Sequence, residues 1–183
     1  MNYLENDVEK VLVSREQIGA IVKRIAKDIS RDYEGKQLLL LCILKGSVVF
    51  FSDLMRDISI PLEIDFMKVA SYGKGSTTTG NVRILLDIHR DDFSTADILI
   101  VEDIIDSGRT LSTLVEILKM KGARSVKTCT LLDKPSRREV PFVPDYVGAE
   151  IPDEFVIGYG LDYSEKYREL PYVGVLKRSV YEK

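Results

Sequence analysis

The sequence is poor in cysteine, histidine and tryptophan, and the scarcity of the first two limits the kinds of site that the protein can contain. It contains two cysteines, one histidine and no tryptophan among 183 residues. Cys42 and Cys129 sit inside apolar runs, which indicates buried free thiols in a reducing compartment and not a disulfide framework. The lone histidine, His89, follows a predicted strand and precedes a charged run. We therefore interpret it as a surface residue with no part in catalysis.

Long apolar stretches and an excess of basic charge are also missing. The longest apolar run, 38–44, is too short to span a bilayer. The segment 1–10 is acidic and lacks the apolar core of a signal peptide. The net charge of −3 gives no strongly basic footprint of the kind that binds nucleic acid, although it does not exclude local basic clusters. These features predict a cytoplasmic protein that binds neither a membrane nor nucleic acid.

Predicted strands and helices alternate through most of the chain. Helical periodicity marks 14–30, 48–58 and 111–118, and strand-like runs cover 38–44, 62–70, 82–88, 98–101 and 125–132. Ser14 and Gln17 predict a capping box at the first helix. The alternation indicates an α/β fold with a mostly parallel, twisted sheet flanked by helices.

The pattern changes after Pro135, where short strand-like pieces at 146–149 and 155–157 lie among prolines and tyrosines. We treat 1–183 as a single domain with a core at about 35–135. A small hood or lid lobe is expected from the C-terminal part together with the N-terminal segment.

Ligands of such a sheet bind outside the carboxyl ends of its strands. Three connections are predicted there: the loop 45–47, the run 102–110 and the turn after Leu132. The basic run Ser136-Arg137-Arg138, which follows that turn, is interpreted as solvated or as facing a partner subunit.

The run 101–110, Val-Glu-Asp-Ile-Ile-Asp-Ser-Gly-Arg-Thr, carries the strongest chemical signal. Its second half offers small residues, hydroxyls and free N–H groups at a predicted helix start, which is a natural phosphate cradle. Glu102 and Asp103 lie just upstream, and carboxylates accept hydrogen bonds from a ribose diol and help to hold magnesium. A helix cap with solvated acids explains one acid but not three. The run therefore predicts a site for a sugar phosphate.

The same run resembles the phosphoribosyl-pyrophosphate signature of type I phosphoribosyltransferases. Four further segments resemble the hypoxanthine-guanine phosphoribosyltransferase family: Leu44-Lys45-Gly46-Ser47, Ser71-Tyr72 with the threonine-rich stretch to Gly80, Leu132-Asp133-Lys134, and 155–163 with Arg168 after it. The resemblance covers roughly 38–176. It implies the type I phosphoribosyltransferase fold and a purine-salvage enzyme that transfers the 5-phosphoribosyl group from phosphoribosyl pyrophosphate to hypoxanthine or guanine. It also implies Mg²⁺ as cofactor and a homo-oligomer, either dimer or tetramer.

The resemblance further implies a role for each site residue. The 5′-phosphate is assigned to Asp106, Ser107, Gly108, Arg109 and Thr110. The ribose is assigned to Glu102 and Asp103, and the pyrophosphate to Lys45, Gly46 and Arg168. The purine is assigned to Lys134 at its 6-oxo group, Phe155 by stacking, Val156 through its backbone, and Asp162. The implied metal ligands are Glu102, Asp103 and Asp162, and the implied catalytic residues are Asp106, Ser71 and Tyr72.

Two features of this resemblance concern the backbone. The stretch 71–80 is expected to be a mobile loop that closes over the site and keeps water out. The peptide bond before Lys45 is often cis in the family, which the sequence does not decide.

Other functions stay open at this point. One is an RNA-binding regulator on the same fold, although the acidic chain disfavours it. Another is an enzyme for a different base. Adenine carries a 6-amino donor that does not match a lysine donor at position 134. A xanthine-preferring enzyme is compatible with the sequence, as is either preference between hypoxanthine and guanine.

Overall fold

The computed structural model of the protein describes residues 3–71 and 82–182, which form a six-stranded and a three-stranded sheet with helices around them. The α-helices are α1 (Arg15–Asp32), α2 (Val48–Asp57), α3 (Arg109–Met120) and α4 (Arg178–Tyr181). The strands are β1 (Val8–Val13), β2 (Leu38–Leu44), β3 (Leu62–Ser71), β4 (Val82–Leu86), β5 (Asp97–Ile105), β6 (Ser125–Asp133), β7 (Tyr146–Glu150), β8 (Val156–Ile157) and β9 (Val173–Leu176). Short 3-10 helices cover Tyr3–Asp7 and Pro135–Arg137.

The large sheet has the strand order β4-β3-β2-β5-β6-β7. All neighbouring pairs from β3 to β7 are parallel, and only the edge pair β3–β4 is antiparallel. The predicted fold class, a mostly parallel sheet flanked by helices, is therefore confirmed. The segment 146–149 was grouped with the hood, and this is wrong: as β7 it pairs with β6 and completes the edge of the large sheet.

Alternate residues of the central strands pack into two separate cores, one on each face of the sheet. Leu38 and Leu40 of β2 join the core formed with α1 and α2, whereas Leu39 and Leu41 join the core formed with α3. This is the period-two alternation of strand side chains, and burial on both faces explains why β2 is a continuous apolar run.

The first helix begins as its sequence predicts. Ser14 Oγ accepts from the Gln17 N–H at 3.3 Å, and the Ser14 N–H donates to Gln17 Oε1 at 2.7 Å. This reciprocal pair satisfies two of the donors that a helix start leaves free.

The strand β5 extends further than predicted. The apolar run stops at Val101, but parallel pairing with β6 continues to Ile105, opposite Asp133. Glu102 and Asp103 therefore lie on the strand and not in the loop assigned to them from sequence. The reason is that backbone hydrogen bonding to a long partner strand extends past the last apolar side chain, which polarity alone does not reveal.

The small sheet joins the two ends of the chain. Its strand order is β1-β9-β8, and all its pairs are antiparallel. Leu4, Ile157, Leu170 and Leu176 form a third buried cluster beneath it. The residues just before β8 also contact the end of β6. There Lys134 Nζ donates to the carbonyl of Glu154 at 2.7 Å. Among the helices of the described residues, none has both the length and the apolar character to cross a membrane.

Candidate active site

The loop after β2 lies in close contact with two other segments at the carboxyl edge of the sheet. Around Gly46 there is no room for a side chain: a Cβ there would come within 1.7 Å of Asp103 Oδ2. On the other segment, a Cβ on Gly160 would come within 2.0 Å of the Gly46 carbonyl oxygen. The backbone at Gly46 is therefore enclosed between the end of β5 and the turn that carries Gly160. The peptide bond between Leu44 and Lys45 is cis.

A cluster of opposite charges surrounds this loop. Lys45 Nζ lies 3.1 Å from both carboxylate oxygens of Glu165, and Arg168 Nη2 lies 3.3 Å from Glu165 Oε2. Arg168 also contacts Asp162 Oδ1 at 2.8 Å and donates from Nη1 to the Gly160 carbonyl at 2.7 Å. The two basic residues among the three assigned to pyrophosphate, Lys45 and Arg168, thus lie side by side, and one carboxylate bridges them.

The two carboxylates at the end of β5 lie in surroundings that disfavour their charged forms. Burial raises the pKa of Asp103 to about 6, although hydrogen bonds from backbone N–H groups and the charge of Arg168 act in the opposite direction. Burial, followed by the charge of Asp103, raises the pKa of Glu102 well above its usual range. Carboxylates in such surroundings gain stability in their charged forms when a cation or hydroxyl donors bind beside them.

The implied metal ligands do not form a complete metal cage. Within the described residues, 3–71 and 82–182, no three His, Cys, Asp or Glu side chains converge closely enough to hold a metal ion. The Asp162 carboxylate is occupied by Arg168 and by the N–H of Glu165, at 2.9 Å. Mg²⁺ is usually held by one or two carboxylates together with substrate phosphates and water. Glu102 and Asp103 meet that smaller requirement.

The predicted phosphate cradle is a tight turn between β5 and α3. Gly108 occupies the helix-capping position with φ of 80°, a left-handed conformation that glycine adopts without strain. Ser107 Oγ accepts from the N–H of Arg109 at 3.3 Å, and the Arg109 side chain pairs with Glu139 at 2.6 Å. Thr110 is the next residue of α3. Because no intrahelical partner exists for the first N–H groups of α3, they are available to an anion.

Beside this turn lies a pocket of about 170 Å³ that combines four of the predicted residues. Its lining consists of Ile104, Asp106, Lys134, Arg137, Phe155, Val156 and Leu161. Lys134 is buried, and its Nζ lies 3.8 Å from Asp106 Oδ1. A lysine ammonium has three donors, so the bond to Glu154 leaves others for a ligand. An ammonium, a carboxylate, an aromatic ring and a strand backbone therefore face one small space.

The aromatic ring of Phe155 is the most exposed large apolar group of this pocket. Phe155 is 39% exposed and stacks on Tyr181 with ring centroids 5.0 Å apart. Tyr163 meets it edge-on at 5.6 Å. Val156 is buried in β8, which the small sheet fixes in place. The ring is thus held by two tyrosines from different parts of the chain.

Two predicted catalytic residues cannot be placed in the same detail. The backbone of Ser71 forms the last residue of β3. Tyr72 and the rest of the stretch to Gly80, for which a closing loop was predicted, lie outside the described residues.

Three residues of the site were not identified from the sequence. Gly160 belongs to a Gly-Tyr-Gly run, a pattern typical of a tight backbone turn. The sequence did not show that this turn packs against Gly46. Glu165 lies in a polar stretch that the sequence analysis did not single out. Arg138, interpreted as solvated or partner-facing, turns inward instead. Its guanidinium donates to the Asp106 carbonyl and to the Asp133 carboxylate.

Comparison with known proteins gives matches over nearly the whole chain. Residues 12–164 match the phosphoribosyl transferase domain family. The chain is similar to the hypoxanthine-guanine phosphoribosyltransferase of Bacillus subtilis, with 49% identity over 98% of this chain and 99% of that protein. It is 47% identical over 97% of its length to the bifunctional protein TilS/HprT of Listeria innocua, of which it spans 27%.

Solved structures give a similar result. A hypoxanthine phosphoribosyltransferase from Staphylococcus aureus superposes with a TM-score of 0.95 at 46% identity, over 100% of both chains. The backbone of that protein and the backbone of this chain are therefore nearly the same throughout.

Proposed function

Since the chain belongs to the hypoxanthine-guanine phosphoribosyltransferase family, we propose that its carboxyl-edge site joins hypoxanthine or guanine to the ribose phosphate of phosphoribosyl pyrophosphate. The products are IMP or GMP and pyrophosphate, a reaction of purine salvage. One observation carries the proposal above the others. The small pocket containing Lys134, Phe155 and Asp106 opens directly beside the phosphate cradle.

The pocket suits a purine with a 6-oxo group. Lys134 is buried, so an acceptor that meets its remaining donors is recognised in a low-dielectric setting where a missing partner is costly. A 6-oxo group is such an acceptor, whereas the 6-amino group of adenine is a donor and leaves the lysine unmatched. The exposed ring of Phe155 offers an apolar, aromatic surface for stacking. Val156 contributes backbone groups beside the ring.

The reaction breaks the bond between the anomeric carbon and the pyrophosphate oxygen and forms a bond to a purine nitrogen. Positive charge develops on the ribose while negative charge develops on the leaving group. Lys45 and Arg168, which lie side by side at the Gly46 loop, are suited to stabilise that negative charge. The carboxylate of Asp106 accepts the proton that leaves the other imidazole nitrogen, which makes the attacking nitrogen more nucleophilic.

The sugar lies between these two ends in our proposal. The N–H groups at 106–110 and the start of α3 hold its 5′-phosphate, and Glu102 and Asp103 accept hydrogen bonds from its hydroxyls. The same two carboxylates would hold Mg²⁺ together with the substrate. When bound, that ion neutralises charge on the pyrophosphate. A direct role for Asp162 as metal or purine ligand requires it to leave Arg168.

Two further statements belong to the proposal. The protein is expected to form a homo-oligomer, dimer or tetramer. Sedimentation at several protein concentrations measures this directly. The buried free thiols Cys42 and Cys129 support a cytoplasmic location.

A panel of bases tests the proposal. The purified protein is incubated with phosphoribosyl pyrophosphate, Mg²⁺ and each of hypoxanthine, guanine, xanthine and adenine, and the nucleotide products are separated by chromatography. We expect IMP and GMP, and no AMP. Nucleotide formed only from xanthine selects the xanthine-preferring alternative. Failure of all four bases, with phosphoribosyl pyrophosphate bound, returns the site to a ligand-sensing role.

A further inference from the structure

Arg138 is an interior side chain in a turn that otherwise faces solvent. Its side chain is 16% exposed, whereas that of its neighbour Arg137 is 51% exposed. Arg137 ends the 3-10 helix after β6 and Arg138 follows it, and the sequence gives no reason to separate them. Burial of a guanidinium requires partners that compensate its lost hydration. The identity of those partners indicates what the residue does.

The partners of Arg138 belong to the two segments that carry the proposed base chemistry. Nη1 donates to the backbone carbonyl of Asp106, and Nη2 donates to the carboxylate of Asp133. The Asp133 side chain is itself almost fully buried. The aliphatic stem lies over Gly108, where an added Cβ would come within 3.0 Å of Arg138 Cδ. One side chain therefore spans the end of β6, the residue Asp106 and the capping glycine of α3.

Main-chain contacts reinforce this connection. The N–H groups of Glu139 and Val140 donate to the Ser107 carbonyl at 3.0 and 3.3 Å. The Lys134 N–H donates to the Ile105 carbonyl at 3.0 Å. The turn after β6 is thus attached to the phosphate cradle by three backbone hydrogen bonds beside the pocket.

These contacts bear on the spacing of two side chains that act on neighbouring groups of the purine, the 6-oxo group and the imidazole nitrogen that loses its proton. Asp106 Oδ1 and Lys134 Nζ lie 3.8 Å apart. Arg138 binds Asp106 itself and the residue that precedes Lys134. Asp133 precedes Lys134, and the carbonyl that Arg138 binds is that of Asp106 itself. A displacement of about 1 Å at a reacting group is enough to cost on the order of 10²-fold in rate.

We propose that Arg138 is a positioning residue, which holds the Asp106 carboxylate in register with Lys134 and does not touch the substrate. The inference rests on the proposed function, because it concerns the use of Asp106 and Lys134 on a 6-oxopurine. It predicts that loss of the guanidinium lowers the rate of the chemical step while both substrates still bind.

The test uses Arg138→Met, which keeps the stem and removes the guanidinium, and Arg138→Lys, which has a point charge without the two-armed fork. Arg90→Met is the matched control, because Arg90 also pairs with a carboxylate, that of Glu63 far from the pocket, and its side chain is 22% exposed. Single-turnover rates with hypoxanthine are measured together with calorimetric binding of phosphoribosyl pyrophosphate. Denaturant unfolding shows how much of each variant is folded.

We expect Arg138→Met to lower the single-turnover rate by about 10- to 100-fold, with affinity for phosphoribosyl pyrophosphate within about threefold of wild type. Arg138→Lys should fall between, and Arg90→Met should match wild type. An unchanged rate in Arg138→Met, or a loss confined to binding or to the folded fraction, overturns the inference. A wild-type protein that makes no nucleotide overturns the proposed function instead.

The partner carboxylate supplies a second variant if Arg138→Met does not fold. Asp133→Asn keeps the shape and removes the charge that the guanidinium binds. Combined with Arg138→Lys, it tests whether the two residues act as one unit, in which case the double variant loses no more rate than either single variant. Fully additive losses show that Arg138 does not act through Asp133, and the proposal fails.

Discussion

Asp106 is the residue on which the proposed proton transfer depends. Its carboxylate is 48% exposed to the pocket, and the capping position of α3 is held by Gly108. A capping role, for which Asn is nearly as good as Asp, is therefore not what its position suggests. We expect Asp106→Asn to fold and to bind phosphoribosyl pyrophosphate normally. Its single-turnover rate should fall by about 10²–10⁴-fold, as is usual when a positioned proton acceptor is lost.

The control for this variant is binding of phosphoribosyl pyrophosphate in the same preparation. A near-wild-type rate with normal binding assigns Asp106 to the turn alone. The proposed chemistry then rests only on stabilisation of the leaving group.

For Glu165 we expect a substitution to strengthen ligand binding, whereas the change at Asp106 weakens catalysis. Its carboxylate bridges Lys45 and Arg168, and the hydrogen bonds that these two residues donate, followed by their charges, lower its pKa. It therefore occupies the cations that the pyrophosphate is expected to bind. We expect Glu165→Gln to tighten the binding of pyrophosphate and of phosphoribosyl pyrophosphate by about two- to fivefold. That range follows from exposed ion pairs, which contribute about 0.2–1 kcal/mol.

Calorimetry at low and moderate salt measures this change. Glu63→Gln, which breaks an exposed ion pair with Arg90, is the matched control and should leave affinity unchanged. Weaker binding in Glu165→Gln means that the glutamate orients the two cations and does not compete with their ligand.

At this scale the sequence predicts residues whose chemistry is visible locally. Lys134 follows a buried strand directly, so its position at the carboxyl edge was predictable, and the structure places it in the pocket. Arg138 was not predictable, because its partners Asp106 and Asp133 are fixed only by tertiary packing. Two adjacent arginines in one turn look alike until the fold assigns one of them inward.

At the scale of elements, strand cores were predictable and strand ends were not. The run 38–44 matches β2 residue for residue, because burial on both faces requires continuous apolar residues. The end of β5 at Ile105 depends on pairing with β6, and this places Glu102 and Asp103 on a rigid strand. Rigid elements hold functional groups more precisely than loops do. β7 was misassigned for the same reason, since its partner strand is not visible in the local pattern.

The turn that carries Gly160 shows how closely two elements approach. Gly160 has φ of 100°, and a Cβ there would come within 2.0 Å of the Gly46 carbonyl. We expect Gly160→Ala to move the turn off the loop at Lys45, since neither backbone has space to give. The KM for phosphoribosyl pyrophosphate should rise, and stability should fall by about 1–3 kcal/mol.

Gly19→Ala is the matched control, because Gly19 lies in α1 with nothing within 4 Å of an added Cβ. That substitution should raise stability by about 0.4–1 kcal/mol without changing KM. Equal effects of the two substitutions on KM would contradict the close approach.

At the scale of the whole molecule, two regions of the large sheet have separate tasks. The carboxyl edge carries the chemistry, and the opposite edge carries an ion pair that fastens β5 to β6. Asp97 is buried there and accepts from Arg124 and Ser125. Although burial alone raises the pKa of Asp97, the hydrogen bonds from Arg124 and Ser125 outweigh it and hold the pKa below its usual value.

A lowered pKa in the folded state adds stability above the unfolded pKa of about 3.9 and loses it as the pH falls through the folded value. We expect Asp97→Asn to lower the free energy of unfolding at pH 7 by about 1.5–3 kcal/mol. The gap between variant and wild type should narrow below about pH 4. Denaturant titrations from pH 7 to pH 3 measure both. Asp28→Asn, which breaks an exposed pair with Arg31, should change stability by less than about 1 kcal/mol at every pH.

The small sheet links the pocket to both ends of the chain. β1 pairs with β9, β9 pairs with β8, and Phe155 stacks on Tyr181 of α4. The N-terminal segment was expected to join the C-terminal part in a hood, but no strand was predicted in it. Long-range antiparallel pairing of this kind leaves little trace in a six-residue strand, which is why composition alone did not predict it.

The central claim is that one buried lysine makes this phosphoribosyl-transfer site specific for 6-oxopurines. Lys134→Met keeps the length of the side chain and removes its charged donors, and it is measured with hypoxanthine and phosphoribosyl pyrophosphate varied separately. We expect kcat/KM for hypoxanthine to fall by about 10- to 100-fold, since a hydrogen bond from a charged donor contributes about 1.5–3 kcal/mol. The Kd for phosphoribosyl pyrophosphate should stay within about threefold of wild type. Equal losses for both substrates, or an unchanged kcat/KM for hypoxanthine, would contradict the account.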